Sequence, residues 1–378
     1  MNIGFDAKRA YQNRTGLGNY SRTLIHSLAA GYPEHQYFLY APKVTGLFTP
    51  TANMQVVQPE KALHKMFRSA WRSRFVTKQL AALDIYHGLS HEIPFGIHET
   101  GVTSLVTMHD LIFERYPEQY NPIDVYTYRK KAKYAAEKAD VVIAISQQTK
   151  DDLVHFYNTP AEKIAVAYQA CDPVFGMPVP GADIRAMLEK YGLPREYFLY
   201  VGSIIERKNL MGIVKAMSLL GDKTLPLVVL GDGSGYKKKV QECIKSHQLE
   251  NRVFFLNDIA RFAYNDLPAL YQGAAALIYP SVFEGFGIPI LEALWSKTPV
   301  ITSQGSCFHE TGGDAALYID PLRPDSIAHA MERVVGDSQL VSSMRLKGLD
   351  HAQNFTAERT AAVVMEIYQH AIRTGHRK

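Results

Sequence analysis

Short β-rich runs alternate with amphipathic helical patterns along nearly all of the 378 residues, and this alternation constrains the fold more than any other feature. A strand followed by a helix and another strand builds parallel sheet, because the helix returns the chain across one face. In the first half, strands are expected near residues 3–5, 37–40, 55–57, 85–86, 104–108, 141–145 and 164–166. Helices are expected there over 18–30, 62–82, 123–138 and 147–157. The theme repeats in the second half, with strands near 197–201, 227–230, 253–256, 276–279, 299–302 and 316–319. After Asp320-Pro321 the chain reads as wholly helical, and Thr356 followed by Glu358 marks the start of a last helix.

The length fits two α/β units of about 150–200 residues each. Residues 170–180 are rich in proline and glycine without periodicity, and read as the linker. The fold class expected is therefore α/β, with two Rossmann-like, doubly wound parallel-sheet domains, 1–172 and 178–355. Such domains bind ligands at the carboxyl ends of their strands, so facing edges would create a cleft. Residues 356–378 form a terminal helix that has to pack on something already built.

Composition narrows the function. Apolar content of 47% and charged content of 21% are those of a soluble globular protein. A net charge of +4 gives no reason to expect nucleic-acid binding. Cys171, Cys243 and Cys307 lie far apart, are odd in number and lack metal-ligand spacing, which fits a reducing compartment. Met1–Asp6 has neither the basic start nor the apolar core of a secretory signal, and no run of about 18 apolar residues could span a bilayer. A cytoplasmic protein is expected, with contact at the inner face of a membrane left open.

The run from Tyr279 to Ala293 says most about chemistry. A strand ends in a loop with Glu284 before Gly285 and Gly287. A helix follows with Pro289 near its start and Glu292 one turn inside. Glycine admits close approach of a ligand, and free N–H groups at a helix start suit a phosphate. Two acids repel a phosphate but suit hydroxyl groups on either side of it, as in a nucleotide sugar. Gly202 to Asn209 also follows a strand, and Arg207 beside Lys208 offers a fork and a point charge for a diphosphate.

Other signals are weaker. Gly16-Leu17-Gly18 is a shortened glycine-rich loop entering a helix. His109 and Asp110 follow a buried strand, where the imidazole could meet sugar hydroxyls; His87 and His91 lie after another strand end. In 61–82, Leu63, Met66, Phe67, Ala70 and Trp71 recur at helical spacing, with Lys61, Lys65, Arg68 and Arg72 on another face. A basic helix of this kind can lie on an anionic lipid surface, or pack its apolar face inward with its basic face wet. The chain has no Asp-x-Asp triplet, P-loop, HExxH or CxxC.

Together the Gly16-Leu17-Gly18 loop, His109-Asp110, Gly202 to Asn209, Gly231-Asp232-Gly233 and the Glu284 to Glu292 segment resemble the family 4 glycosyltransferases. Those enzymes have two Rossmann-like domains, the GT-B architecture. The Met108 to Leu111 and Asp314 to Leu317 segments look most like mannosyltransferase-type members. The resemblance implies that Arg207 and Lys208 grip the donor diphosphate and that Glu292 binds the ribose. Glu284 would hold the transferring sugar, and backbone around Gly285, Phe286, Gly287 and Ile288 would meet sugar and phosphate. His109 would contact the donor sugar, and the loop near Asp258-Ile259 would meet the base. The terminal helix would cross back onto the first domain. Tyr168-Gln169-Ala170-Cys171-Asp172 departs from the Pro-Asn-Gly-Val-Asp of many members, matching only at Asp172. The implied activity is retaining, metal-independent transfer of a hexose to a glycan or lipid-linked acceptor, without a cofactor. GDP-mannose is the first donor expected, and a UDP-sugar the alternative. An epimerase-like or binding-only protein on the same scaffold stays open.

Overall fold

The computed structural model describes residues 1–259 and 262–375. The chain divides into two compact units, one of Met1–Ala170 with Phe355–Lys378, the other of Cys171–Asn354.

The first unit holds seven strands: β1 (Asn2–Asp6), β2 (Gln36–Tyr40), β3 (Met54–Val57), β4 (Ile85–Gly88), β5 (Thr103–Met108), β6 (Val141–Ala144) and β7 (Ile164–Val166). All pair in parallel in the order β3-β2-β1-β4-β5-β6-β7. The second unit holds β8 (Phe198–Val201), β9 (Leu227–Leu230), β10 (Val253–Phe255), β11 (Ala276–Tyr279), β12 (Val300–Ser303) and β13 (Ala316–Ile319). Its order is β10-β9-β8-β11-β12-β13. Each expected strand is present. Their short apolar runs are legible because strands of a parallel sheet covered on both faces are hydrophobic throughout.

In both sheets the order reverses beside the first strand, between β1 and β4 and between β8 and β11. Loops leaving neighbouring strands in opposite directions open a crevice at that point, where doubly wound sheets bind ligands.

The terminal helix Ala357–Gly375 is capped by Thr356, whose hydroxyl accepts from the Arg359 N–H at 3.2 Å. Its Ala361, Val364, Met365 and Tyr368 are buried in one core with Leu24, Ile25 and Leu28 of the helix Gly16–Gly31. The apolar stripe of a helix with no strand after it is thus covered within the first unit.

One expected element is different. The single amphipathic helix over 62–82 is three pieces: Ala62–Met66, Arg68–Ser73 and a 3-10 turn at Phe75–Gln79. Trp71 and Arg72 are adjacent and both buried, Trp71 in the apolar core and Arg72 against Asp6 at 2.5 Å and against Glu92. Arg72 therefore does not belong to a wet basic face, and a tertiary ion pair overrides the local periodicity. Met66 (70% exposed) and Phe67 (54%) point outward instead of packing on the sheet. The side chain of Leu63, and residues 376–378 of the expected last helix, lie outside the described residues.

Candidate active site

The crevice of the second unit is lined by the loops after β8, β9 and β11. Gly231 and Gly233 let the first two of these touch. A Cβ on Gly231 would lie 1.9 Å from the Gly202 carbonyl oxygen, and one on Gly233 2.2 Å from that of Ile204. The Ile204 N–H donates to the Asp232 carbonyl at 2.7 Å, and the Tyr200 hydroxyl to the Ser203 carbonyl at 3.0 Å. The β8 loop is so pinned that Glu206–Lys208 forms a 3-10 turn. Asn209, in the left-handed region, then caps the helix Leu210–Leu220 through the Gly212 N–H.

That turn delivers both cations to the β11 loop. Arg207 Nη1 lies 2.9 Å from Glu284 Oε1 and also donates to the Phe283 carbonyl; its own carbonyl accepts from the Val282 N–H. Lys208 Nζ lies 3.1 Å from the same carboxylate oxygen and donates to the Tyr279 hydroxyl at 2.9 Å. Ser281 donates a third bond to it at 2.8 Å. Burial works against the charge on Glu284, but Lys208, Arg207 and Ser281 outweigh it and hold its carboxyl below the usual range. Two cations and one carboxylate leave one positive charge at the crevice. Beside it the helix Ile288–Trp295 starts from Gly287 (φ 101°) with no side chain capping it. A positive pair next to an uncapped helix start favours a phosphate-bearing ligand.

The sequence separates Arg207 and Lys208, as diphosphate ligands, from Glu284, as a sugar ligand; the structure brings the three into one ion-paired cluster. Glu292, one turn into the helix, accepts from the Tyr271 hydroxyl at 2.6 Å. Burial raises its pKa to about 7, against the opposing pull of Tyr271. It is thus poised between an acceptor-only carboxylate and a neutral acid at physiological pH.

Asp258 and Ile259 end a short helical turn, Leu256–Ile259, where a loop is expected. The turn is fixed by Lys237, which is buried, meets Asp258 at 2.6 Å and lies over the Phe255 ring. Ile259 is half exposed. Lys237 carries no local signal, since a lysine in a helix with other lysines reads as surface.

The remaining candidates lie in the first unit. A Cβ on Gly18 would lie 1.9 Å from the Asn13 carbonyl oxygen, so Gly18 admits the loop backbone, whereas Gly16 faces open space. Leu17 lines a pocket at the carboxyl ends of β4 and β5. His109 is buried with both ring nitrogens occupied: Nε2 bonds the Leu89 carbonyl at 2.9 Å and Nδ1 meets the Gln169 amide at 3.1 Å. Burial, then His91, lowers its pKa to about 3. A carbonyl only accepts, so the neutral ring carries its proton on Nε2, and Nδ1 is an acceptor. His87 is also buried and neutral, bonded to Tyr368 at 2.7 Å and Thr107 at 2.8 Å, so it ties the terminal helix to β5. Gln169 and Tyr368 escape sequence reading because each meets its histidine only through the fold.

Residues 14–175 match the family model for Glycosyltransferase Family 4, and residues 183–350 that for Glycosyl transferases group 1. The first half thus matches a family 4 glycosyltransferase model and the second half a group 1 model, and the chain is a glycosyltransferase. O-antigen chain mannosyltransferase B of Escherichia coli is 28% identical to this glycosyltransferase over 98% of this chain and 100% of its own. O-antigen chain mannosyltransferase RfbU of Salmonella typhimurium is 32% identical over 65% of this chain and 63% of its own. Among solved structures, sucrose-phosphate synthase of Thermosynechococcus elongatus superposes with a TM-score of 0.76 at 20% identity, covering 99% of each chain. Anabaena HepE in complex with UDP gives 0.74 at 16%, covering 98% and 99%. These likenesses establish the two-sheet GT-B fold.

Proposed function

We propose that this glycosyltransferase moves mannose from GDP-mannose to a glycan or lipid-linked acceptor, with retention at the anomeric carbon and without a metal. The observation that carries the reading is the convergence of Arg207, Lys208 and Glu284 beside the uncapped start of the Ile288 helix. Phosphate oxygens of the donor take the surplus positive charge and the helix N–H groups, Glu284 turns its hydrogen-bonding capacity to the sugar, and Glu292 accepts from the ribose. As the glycosidic bond breaks, charge grows on the leaving diphosphate, and preorganised cations stabilise it most at that stage. With Glu284 committed to the sugar hydroxyls and Glu292 to the ribose, neither of these two carboxylates serves as a covalent nucleophile. The leaving phosphate then serves as the base for an acceptor attacking from the same face.

Mannose is favoured over other hexoses by the names of the two O-antigen relatives. A UDP-sugar is the competing donor. The test is a panel of GDP-mannose, UDP-glucose and UDP-N-acetylglucosamine, read as thermal stabilisation and slow hydrolysis with and without a chelator. The reading expects GDP-mannose to stabilise and be hydrolysed in either condition. Stabilisation by a UDP-sugar alone would change the donor, strict dependence on Mg²⁺ would remove the mechanism, and no response to any sugar nucleotide would remove the function.

Peripheral contact of a cytoplasmic enzyme with an anionic bilayer is part of the same proposal. No helix among the described residues is long and apolar enough to cross a membrane. Met66 and Phe67 protrude beside the exposed Lys61, Lys65 and Arg68, which pairs apolar anchors with positive charge. Replacing Met66 and Phe67 by Ser should abolish pelleting with anionic vesicles; unchanged pelleting would remove this contact.

A further inference from the structure

The loop after β12 flanks the β11 loop on the side away from β8. Two of its residues, Gly305 (φ 82°) and Ser306 (φ 47°), lie in the left-handed region. Glycine adopts that region at little cost, whereas a serine there is uncommon. A side chain kept where glycine would be easier points to a task for that side chain.

The hydrogen bonds show the task. Ser306 Oγ accepts from the Glu284 N–H at 3.3 Å and donates to the Glu284 carbonyl at 3.0 Å. One hydroxyl thus spans both backbone groups of a residue 22 positions away. The buried Cys307 thiol beside it lies 3.0 Å from the Phe286 carbonyl and 3.3 Å from that of Glu284. Each side chain has one proton to give, so the hydroxyl holds the Glu284 carbonyl and the thiol the nearer carbonyl of Phe286.

In a planar trans peptide, the C=O of one residue and the N–H of the next point in opposite directions. Holding the Glu284 and Phe286 carbonyls toward the β12 loop therefore turns the Gly285 and Gly287 N–H groups away from it. Because β11 lies between β12 and β8, that direction leads to the β8 side, where Arg207 and Lys208 meet Glu284. Glycines carry no side chain to screen those N–H groups. Arg207, Lys208 and Ser281 act on the Glu284 carboxylate, whereas Ser306 acts on its peptide.

We propose that Ser306 is a positioning residue of the transfer reaction: it fixes the Glu284–Gly285 peptide so that its N–H faces the donor's diphosphate. The assignment rests on the glycosyl-transfer reading above. Its effect is largest once charge has moved onto the leaving diphosphate, where a donor already in place needs no reorganisation.

The test is hydrolysis of GDP-mannose and UDP-glucose by the full chain, as wild type, Ser306→Ala and Ser306→Gly, with melting temperatures from the same samples. Both variants lose the hydroxyl, but only glycine is at ease at positive φ. Outright loss of a preorganised donor costs about 10²–10³ in turnover, so a donor left to drift should cost at least about tenfold in both variants. KM should rise less than about threefold, as for a contact made chiefly in the transition state. Ser306→Gly should melt no lower than Ser306→Ala. A merely structural contact would make activity follow stability, so turnover that recovers with the melting temperature in Ser306→Gly would overturn the assignment.

A second readout follows the peptide itself. Glu284–Gly285 is the one Glu–Gly pair in the sequence, so carbonyl-¹³C glutamate with ¹⁵N glycine isolates its amide in NMR. Adding the nucleoside diphosphate of the donor should move that amide proton downfield in the wild type and clearly less in Ser306→Gly. Equal shifts would also overturn the assignment. If the wild type hydrolyses a sugar nucleotide and both variants match it, the role of Ser306 falls alone. If the wild type neither binds nor hydrolyses any, the transferase reading falls and takes this one with it.

Discussion

The two crevices share a sheet topology and differ in everything that faces a ligand. In the second unit the crevice gathers Arg207 and Lys208 on one carboxylate and opens on an uncapped helix start. In the first, Asp6, Arg72, Glu92 and Lys131 neutralise one another, and Arg9, Asp110, aromatic rings and a neutral imidazole line the space. The lesson is that the order of strands decides where a ligand binds, and the balance of buried charge decides which kind. Surplus positive charge calls for a diphosphate, and internal cancellation removes that pull.

Four experiments would break or sharpen that contrast. The largest effect is expected where those four charges meet. Arg72→Leu strands Asp6 and leaves Glu92 with Lys131 alone, and should cost about 3–5 kcal/mol of stability in denaturant unfolding. Adding Asp6→Asn and Glu92→Gln should recover much of the loss; no recovery would mean that packing, not charge, holds the region. Next, Lys208→Met should lower donor turnover by about 10²–10³-fold with little change in melting temperature, as expected for a group that acts on charge developing in the transition state. Unchanged turnover would take the surplus charge out of the mechanism.

A smaller effect separates glycines that shape the second crevice from those that do not. Gly231→Ala should cost about 2–3 kcal/mol because its Cβ meets a backbone carbonyl, while Gly235→Ala, in open space, should stay within about 0.5 kcal/mol. Equal costs would show that the β8 and β9 loops are not in forced contact. The smallest effect concerns Glu292. Its pKa of about 7 means that below this pH a proton occupies the carboxyl, and above it the carboxylate can accept two hydroxyls. GDP-mannose affinity should therefore rise about tenfold between pH 6 and pH 8 and level off above that. Glu292→Gln should flatten the profile; a slope that persists would locate the titration elsewhere.

The strands and the helices Pro122–Lys138 and Gln147–Tyr157 were legible because their signals are local: short apolar runs and helical periodicity. The positions of the donor-site motifs were legible for the same reason, since each glycine loop follows its own strand. The pairing between motifs was not. Arg207 and Lys208 meet Glu284 across more than seventy residues, and no local pattern says that one carboxylate takes both cations. The same holds for Arg72, read as a wet cation because Asp6 and Glu92 are remote in sequence, and for Gln169, whose partner His109 follows a different strand. Buried charge follows its partners, and partners are set by topology.

The account rests on surplus positive charge at the second crevice. Calorimetric titration of GDP-mannose in the presence of a chelator, with wild type and Lys208→Met, tests this most directly. The account predicts one site per chain in the wild type, with affinity weakened at least about tenfold in the variant and falling with added salt. Equal affinity in both proteins, or binding that appears only when Mg²⁺ is restored, would contradict it.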